Sequence, residues 1–544
     1  MFHCPNCGGQ VIFDIPSQQM KCLYCGTLTP PQQYNVNNEV KESTYETNVY
    51  VCRNCGAELT SPDEQMVSFC SYCGAEAVLA GKVTSENKPQ ELIPFRISKQ
   101  QCQNIYRDKI KKALFLPKEL KDEQFLQQFR GIFIPFWSIK VDFPKGATQT
   151  AYSDTHLHGN QYKHTTYLLN VQAYHNKSRF MRDGSSSLDD AISDAIDDYS
   201  DKIVPFNSAY LAGFYADRAD VPAEQYRMDV LDEAKEEAGD ALKAELSRNN
   251  MHHLPKVSPS ILRKRGIDTT HFKVSPLLND TFLPLCKDFY GRLLPVWFLT
   301  WRKKDRVSYV VMNGETGTMY TELPVEKKTY LLAAGILAVV LFAVLSLFLT
   351  TVPPTTMGIS ALVALINLYL FKGEIQHLME KELHLRDIGS KEYDPKRDQL
   401  RKKVKKRYTL GIGVPVTALV LIGLFFLYFG DEIETTQYTF MNLTVFPATI
   451  FALIFVIRGS IDAARLKEKS MLVWVILNAA AIFACTAIAV IRPVQDWWYY
   501  AGSAICLAAT LIPALKLIDI FNLMATRPLP SFFGREGANH GLKD

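Results

Sequence analysis

None of the short signatures that announce catalysis occurs in this chain of 544 residues: it has no GxSxG, no P-loop, no HExxH and no GxGxxG. Without the first there is no nucleophile elbow, and without the second no backbone cradle for a nucleotide's phosphates, which argues against a helicase. The balance of 60 basic and 56 acidic residues lacks the excess cation that a nucleic-acid binder carries. Nor does a basic stretch followed by an apolar one lead the chain. It opens on His3-Cys4-Pro5-Asn6-Cys7, so no cleaved signal peptide is expected. The first run able to cross a bilayer begins near Thr329, and everything before it is expected to stay on the side of synthesis.

What is present first is cysteine in a repeating pattern. Eight of the twelve cysteines fall in residues 4–73. Cys4-x2-Cys7 is followed after 14 residues by Cys22-x2-Cys25, and Cys52-x2-Cys55 after 14 by Cys70-x2-Cys73. Each pair is followed by glycine, at Gly8, Gly26, Gly56 and Gly74. Two thiolates two residues apart grip one ion only if the backbone folds tightly around it, and the next residue then needs a conformation that glycine adopts freely. Two such knuckles supply the four sulfurs of a closed tetrahedral site, which is structural because no position is left for water or substrate. The expectation is two zinc ions, on Cys4, Cys7, Cys22 and Cys25 and on Cys52, Cys55, Cys70 and Cys73. A rubredoxin-like iron centre uses the same donors, and disulfides fit poorly with a cytosolic N-terminus. The segments between the knuckles hold only Lys21 as a cation, so a phosphate-binding face is absent and protein docking is the better reading.

The composition divides the chain into a zinc ribbon at 1–29, a linker at 30–48, a second ribbon at 49–80 and a further linker at 81–91. A cytosolic domain follows at 92–328. The linkers are expected to be mobile because they are polar and rich in Gln, Asn, Glu and Pro. In the domain, strands are predicted at Ile132–Val141, Tyr167–Tyr174, Val296–Arg302 and Val307–Asn313, with helices at Ala191–Tyr199 and Ala223–Asn249. Strands and helices without regular alternation imply an α+β domain. Ile134-Pro135-Phe136-Trp137 and Leu294-Pro295-Val296-Trp297 look alike, each at the start of a strand, where proline costs least. They are either two related strands of one sheet or two independent edge-strand starts. His156, His158 and His164 read as solvated loop residues, and Met181–Asp190 as a turn and helix N-cap.

The mean hydropathy of −0.04 conceals a second half built of apolar runs. Six spans are predicted: Tyr330–Thr350 and Thr356–Phe371 as a tight hairpin, then Tyr408–Phe429, Met441–Ile457, Met471–Ile491 and Trp497–Leu515. In domain terms these are a transmembrane hairpin at 329–372, a basic loop at 373–407, four further helices at 408–520 and a tail at 521–544. Lys372–Arg407 holds 12 Lys or Arg and Arg458–Lys469 four, whereas the opposite loops hold at most one. That bias places both termini in the cytosol. Six of the seven residues Arg401–Arg407 are cations, a topology determinant that could also bind anionic lipid. No carboxylate lies mid-span, which counts against an ion-coupled carrier; the span interiors hold Asn367 and Asn478. The expected fold is thus multidomain: two Cys4 zinc ribbons, an α+β cytosolic domain and an α-helical membrane domain of six spans.

The order ribbon, ribbon, LIPFRIS (Leu92–Ser98), GIFIPFW (Gly131–Trp137), YLAGFYAD (Tyr210–Asp217), LLPVWFLTW (Leu293–Trp301), NGETG (Asn313–Gly317) and ELP (Glu322–Pro324) resembles a bacterial family of zinc-ribbon membrane proteins. Its members are often mislabelled primosomal helicases because of the ribbons. The resemblance covers roughly residues 1–350 and implies association with a phage-shock-protein-A-like factor and an SPFH-domain, flotillin-like partner in membrane stress or envelope maintenance. The spans after the first hairpin depart from the simpler members. The function expected is therefore a non-enzymatic scaffold of the bacterial cell membrane; the rivals are a membrane-tethered nucleic-acid binder and a channel or transporter subunit.

Overall fold

The computed structural model describes residues 2–34, 44–62, 70–75, 80–157, 162–173, 180–200, 202–253, 282–348, 352–382, 387–389, 434–466 and 469–532. The first ribbon is a three-stranded sheet of β1 (Val11–Asp14), β2 (Gln19–Cys22) and β3 (Leu28–Thr29). It does not stand alone: Val11, Phe13 and Met20 join Phe95, Phe206, Tyr210 and Phe214 in one core, and Phe13 N–H donates to Ala212 O at 3.1 Å.

The second ribbon is more deeply built in. Its strands β4 (Thr44–Val51), β5 (Glu58–Ser61) and β6 (Ala80–Asn87) belong to the twelve-stranded sheet that forms the domain between the ribbons and the apolar half. Two expectations are corrected here. Residues 44–48 and 81–87, assigned to mobile linkers, are paired strand, with Thr44 opposite Asn87 and Val51 opposite Ala80. Composition misled because these are polar strands, yet Tyr45, Thr47 and Val49 alternate inward with the two-residue period of a half-buried strand.

The rest of the sheet comprises β7 (Glu91–Leu92), β8 (Arg130–Asp142), β11 (Phe180–Asp183), β12 (Val204–Pro205), β13 (Tyr215–Asp217), β15 (Leu285–Lys303), β16 (Arg306–Asn313), β17 (Met319–Thr321) and β18 (Arg527–Pro528). A separate hairpin, β9 (Ala147–His156) with β10 (Tyr162–Val171), takes β14 (His252–His253) at its side. The helices are α1 (Lys99–Ile110), α2 (Glu123–Leu126), α3 (Asp190–Ala195) and α4 (Arg227–Arg248). Ser98 and Gln101 form a reciprocal capping box on α1, and the Asp189 carboxylate caps α3. The helix predicted at Ala223–Asn249 forms as α4 and buries Val230, Ala234, Leu242 and Leu246, which recur at helical spacing.

The two look-alike segments lie side by side at the centre of this sheet. β8 and β15 pair antiparallel with Ile134 opposite Leu294, so neither segment is an edge-strand start. Both prolines survive there because each falls where the strand on the outer side changes. Pro135 lies between the β13 pairing, which ends at Phe133, and the β11 pairing, which starts at Phe136. Pro295 lies between the β7 pairing, ending at Leu293, and the β16 pairing, starting at Val296. A missing N–H costs nothing at such a break.

The surroundings repeat as well. Pro135 O accepts from Gly184 N–H at 2.7 Å, and Pro295 O from Gly314 N–H at 2.8 Å. Gly184 O accepts from Asp220 and Val221, and Gly314 O from Arg96 and Ile97. The Trp137 indole donates to Val221 O at 2.7 Å, and the Trp297 indole to Ile97 O at 2.7 Å. The domain is thus two copies of a strand–helix–strand–strand unit, β7-α1-β8-β11 and β13-α4-β15-β16. They interlock, since β7 lies beside β15 and β13 beside β8.

The apolar half contains α5 (Lys327–Phe348), α6 (Pro353–Glu382), α7 (Glu434–Leu466), α8 (Lys469–Ile491) and α9 (Trp497–Met524). Among the described residues three stretches are long and apolar enough to cross a membrane: Pro353–Ile375, Tyr438–Ile457 and Trp497–Met524. The expected span Tyr408–Phe429 and the cations of Arg401–Arg407 lie outside the described residues. Helices α6 to α9 share one core, including Leu365, Val445, Ile482 and Cys506. Among the described residues α5 contributes nothing to that core, and Leu332, Ile336 and Leu337 on it are exposed, so these residues do not show the tight packing expected of a first hairpin. A short connection brings helices near each other, but packing needs interlocking side chains, and lipid accepts an apolar face equally well. α6 also runs beyond Phe371 to Glu382, into residues assigned to the basic loop.

Candidate metal centres

The four knuckles share one backbone geometry. Gly8 N–H donates to Cys4 O, Gly26 to Cys22 O, Gly56 to Cys52 O and Gly74 to Cys70 O, at 2.9, 3.1, 2.7 and 2.9 Å. Those glycines have φ of +70°, +72°, +76° and +65°, the left-handed region where a β-carbon is penalised. The recurrence of CxxCG follows from that turn.

In each ribbon the knuckles bring four thiols together, all within 4.8 Å of one another. Cys4 Sγ lies 3.7 Å from Cys25 Sγ and Cys7 Sγ 3.5 Å from Cys22 Sγ; the Cys52–Cys73 and Cys55–Cys70 separations are both 3.7 Å. A tetrahedral zinc ion with bonds of about 2.3 Å holds its sulfurs roughly 3.8 Å apart. The donor sets therefore fit zinc, and the separations are far beyond a disulfide bond. Among the described residues these are the only groups of three or more His, Cys, Asp or Glu whose ligand atoms all lie within 4.8 Å of one another. Of the three histidines, His156 ends β9 opposite Tyr162 and His164 lies in β10 opposite Asp154, both on strand where a loop was expected. His158 lies outside the described residues.

The two centres differ in cover. Cys7 and Cys25 of the first ribbon are exposed, whereas all four cysteines of the second are at most 1% exposed. The second is enclosed by the domain's strands: Thr300 Oγ1 donates to Ser71 O, and Tyr309 Oη donates to Tyr72 O at 2.8 Å. Its last wall comes from the far end of the chain. Phe532 N–H donates to Cys55 O at 2.6 Å, and the Phe532 ring lies 5.7 Å from that of Tyr72.

That tail is anchored where the two halves meet. β18 extends the sheet beside β16, with Val307 opposite Arg527. The Arg527 guanidinium meets Glu322 at 2.9 Å and Asp189 at 2.7 Å, while Lys381, at the end of α6, meets Glu322 at 2.5 Å. Burial pulls the Arg527 guanidinium down, but the Glu322 and Asp189 carboxylates outweigh it and hold it above its ordinary value. For Lys381 burial wins, and the ammonium is lowered despite Glu322. Asn522 clasps Val325 through both its backbone N–H and its carbonyl, at 2.7 and 3.0 Å.

A second contact joins the halves through Ile388, which packs with Val221, Tyr226 and Val230. Its N–H donates to Asp190 Oδ2 at 2.6 Å, and Gln225 Nε2 donates to its carbonyl. Asp183, Asp190 and Asp387 crowd this contact. Burial, then Asp387, pushes Asp190 up to about 7; burial, then Asp190, pushes Asp183 well above the carboxylate range. Neither contact was readable from sequence, because each joins residues 59 or more positions apart.

Over 341 residues the chain is 26% identical to YdjG of Bacillus subtilis (strain 168), an uncharacterised protein, covering 60% of this chain and 90% of that relative. No family model matches the chain, and no solved structure does.

Proposed function

We propose that this protein is a non-enzymatic, zinc-binding scaffold of the bacterial cell membrane that docks cytosolic or membrane-associated proteins. In this reading each cysteine set holds one structural zinc ion, six helices span the membrane, and both termini face the cytosol. The observation that carries it is the clamp between the halves: the tail of the last apolar helix is held at Arg527 by Glu322 and Asp189 and ends against the second ribbon at Phe532. A displacement in the helical bundle is thereby transmitted to the zinc-bearing surface through buried, paired groups, which do not deform continuously. Closed metal sites and the absence of a catalytic constellation in the sequence support the non-enzymatic reading. The partner class follows from the resemblance: a phage-shock-protein-A-like coiled-coil factor and an SPFH-domain protein, acting in membrane stress.

The first ribbon offers a surface for such docking, since Leu23, Tyr24 and Leu28 are 54, 79 and 46% exposed beside its open knuckle. The test is affinity purification of the full-length protein in mild detergent after gentle crosslinking, with Leu23→Ser/Tyr24→Ser as comparison. Recovery of either partner class with the wild type and its loss from the variant supports the scaffold. Recovery of salt-sensitive nucleic acid with no stoichiometric protein overturns it.

One observation favours the channel or transporter alternative. The amide of Asn478, on α8, is fully buried, and both of its polar atoms lack a hydrogen-bond partner among the described residues. Inside a membrane bundle such a group needs a polar partner. Asn367, by contrast, is already committed to Thr510 O at 2.8 Å. Solute flux into liposomes that is abolished by Asn478→Leu would carry that alternative.

A further inference from the structure

The two copies of the repeated unit are not packed alike, and the difference is a cavity. In the first, Phe95 fills the space beneath the central strands. Its ring stacks on Phe214 at 4.4 Å and meets Phe133 and Trp297 edge-on at 5.0 and 5.2 Å. Gly131 and Gly314 make room for it: a β-carbon on Gly131 would fall 2.6 Å from Phe214, and one on Gly314 2.6 Å from Phe95.

The hydrogen bonds that relate the units identify the counterparts. Ile97 corresponds to Val221 and Leu92 to Ala216, so Phe95 corresponds to Ala219 and Phe214 to Gln90. Pro135 corresponds to Pro295, so Gly131 corresponds to Gly291. The room-making glycines are kept in the second unit, at Gly184 and Gly291, but the ring they would accommodate is replaced by a methyl group. What remains is an open cavity of about 460 Å³, bounded by Trp137, Gly291, Gln90 and Ala219.

Its walls state what would fit. Trp137 provides an aromatic surface corresponding to Trp297 of the filled site. The charged groups on the wall are already engaged, Arg218 with Glu58 and Glu86, Arg292 with Glu91 at 2.8 Å, Asp217 with Ser185, Asp220 with Ser186 and Lys88 with a partner of its own, so a charged ligand would have to break a contact. Glu86 also borders the cavity, but its carboxylate oxygen not bonded to Arg218 is sealed from solvent, so it offers a ligand no contact. We propose that this cavity binds a small, neutral, planar ring compound, of the indole or purine class. The ligand takes the place that the Phe95 side chain fills in the other unit and stacks against Trp137. The size lies within the range of small-molecule sites, which is roughly 300–1,000 Å³.

The experiment titrates full-length protein in mild detergent with indole and, separately, with adenosine, read by saturation-transfer NMR and calorimetry. It is repeated on Ala219→Phe, which rebuilds the filled unit inside the empty one. The expected result is saturable binding of at least one probe, weakened at least tenfold in the variant; which probe binds separates the two ring classes. If Ala219→Phe does not fold, Gln90→Phe narrows the same space from the opposite wall. The proposal is overturned if neither probe saturates, or if wild type and the folded variant take up both probes equally, as partition into detergent would produce.

Discussion

Replacing Arg527 with methionine tests the clamp between the halves most directly. The arginine is 10% exposed, and its two partners, Glu322 and Asp189, are 3 and 14% exposed. At an effective dielectric of about 20, a unit pair near 2.8 Å is worth about 6 kcal/mol before desolvation, and burial of both ions removes most of that. The net worth of the pairs is therefore small, but removing one partner is costly because the others stay buried. Glu322 retains Lys381, whereas Asp189 loses its ion pair with Arg527. The expected loss is about 3–5 kcal/mol, the cost of breaking a buried pair. Adding Asp189→Asn removes the carboxylate that faced Arg527 and is expected to cost less in the Arg527→Met background than alone, a coupling that only interacting sites show. Urea unfolding of the full-length protein in mild detergent, followed by tryptophan fluorescence, measures both. A loss under 0.5 kcal/mol for Arg527→Met, or strictly additive effects in the double variant, would refute the clamp.

The metal centres give two further expectations. Cys22→Ser/Cys25→Ser is expected to lower zinc content from two equivalents to one and unfold the first ribbon while membrane insertion persists; plasma emission spectrometry finding two equivalents would sink the ligand assignment. A chelator is expected to strip metal in two phases, the first from the ribbon with exposed Cys7 and Cys25, so a metal-sensitive dye showing one phase, or loss from the second ribbon first, contradicts the difference in cover. The Ile388 contact is expected to depend on pH. Asp183 and Asp190 are raised in the folded state, so that state binds more protons; the stability they contribute is full below about pH 4, and the share of Asp190 is lost as pH rises through about 7. Hydrogen exchange at residues 387–389 should therefore be faster at pH 8 than at pH 6 after correction for intrinsic rates; equal protection would contradict this.

The parts of the protein that are local in sequence were legible in it. The metal centres followed from spacing because a knuckle closes within five residues and its glycine requirement is set by the backbone alone. The α4 face and the long strands were visible for the same reason, as periods of 3.6 and 2. The likeness of the Ile134 and Leu294 segments hinted at the internal duplication, although not at a central pairing. Thr44–Val51 carried a usable signal in its alternation, which its polar composition obscured.

What the sequence by itself determined is thus the inventory: two four-thiol sites, a domain of strands and helices, and an apolar helical half. Tertiary structure alone decided that the second ribbon is part of the sheet, that Phe532 returns more than 450 positions to cover Cys55, and that one unit of the repeat is filled by Phe95 while the other is open at Ala219. The physical reason is the range of the forces involved. Ligand spacing and periodicity are written in consecutive residues, whereas strand partners, buried ion pairs and cavities depend on which distant surfaces meet, and many partners satisfy the same local pattern.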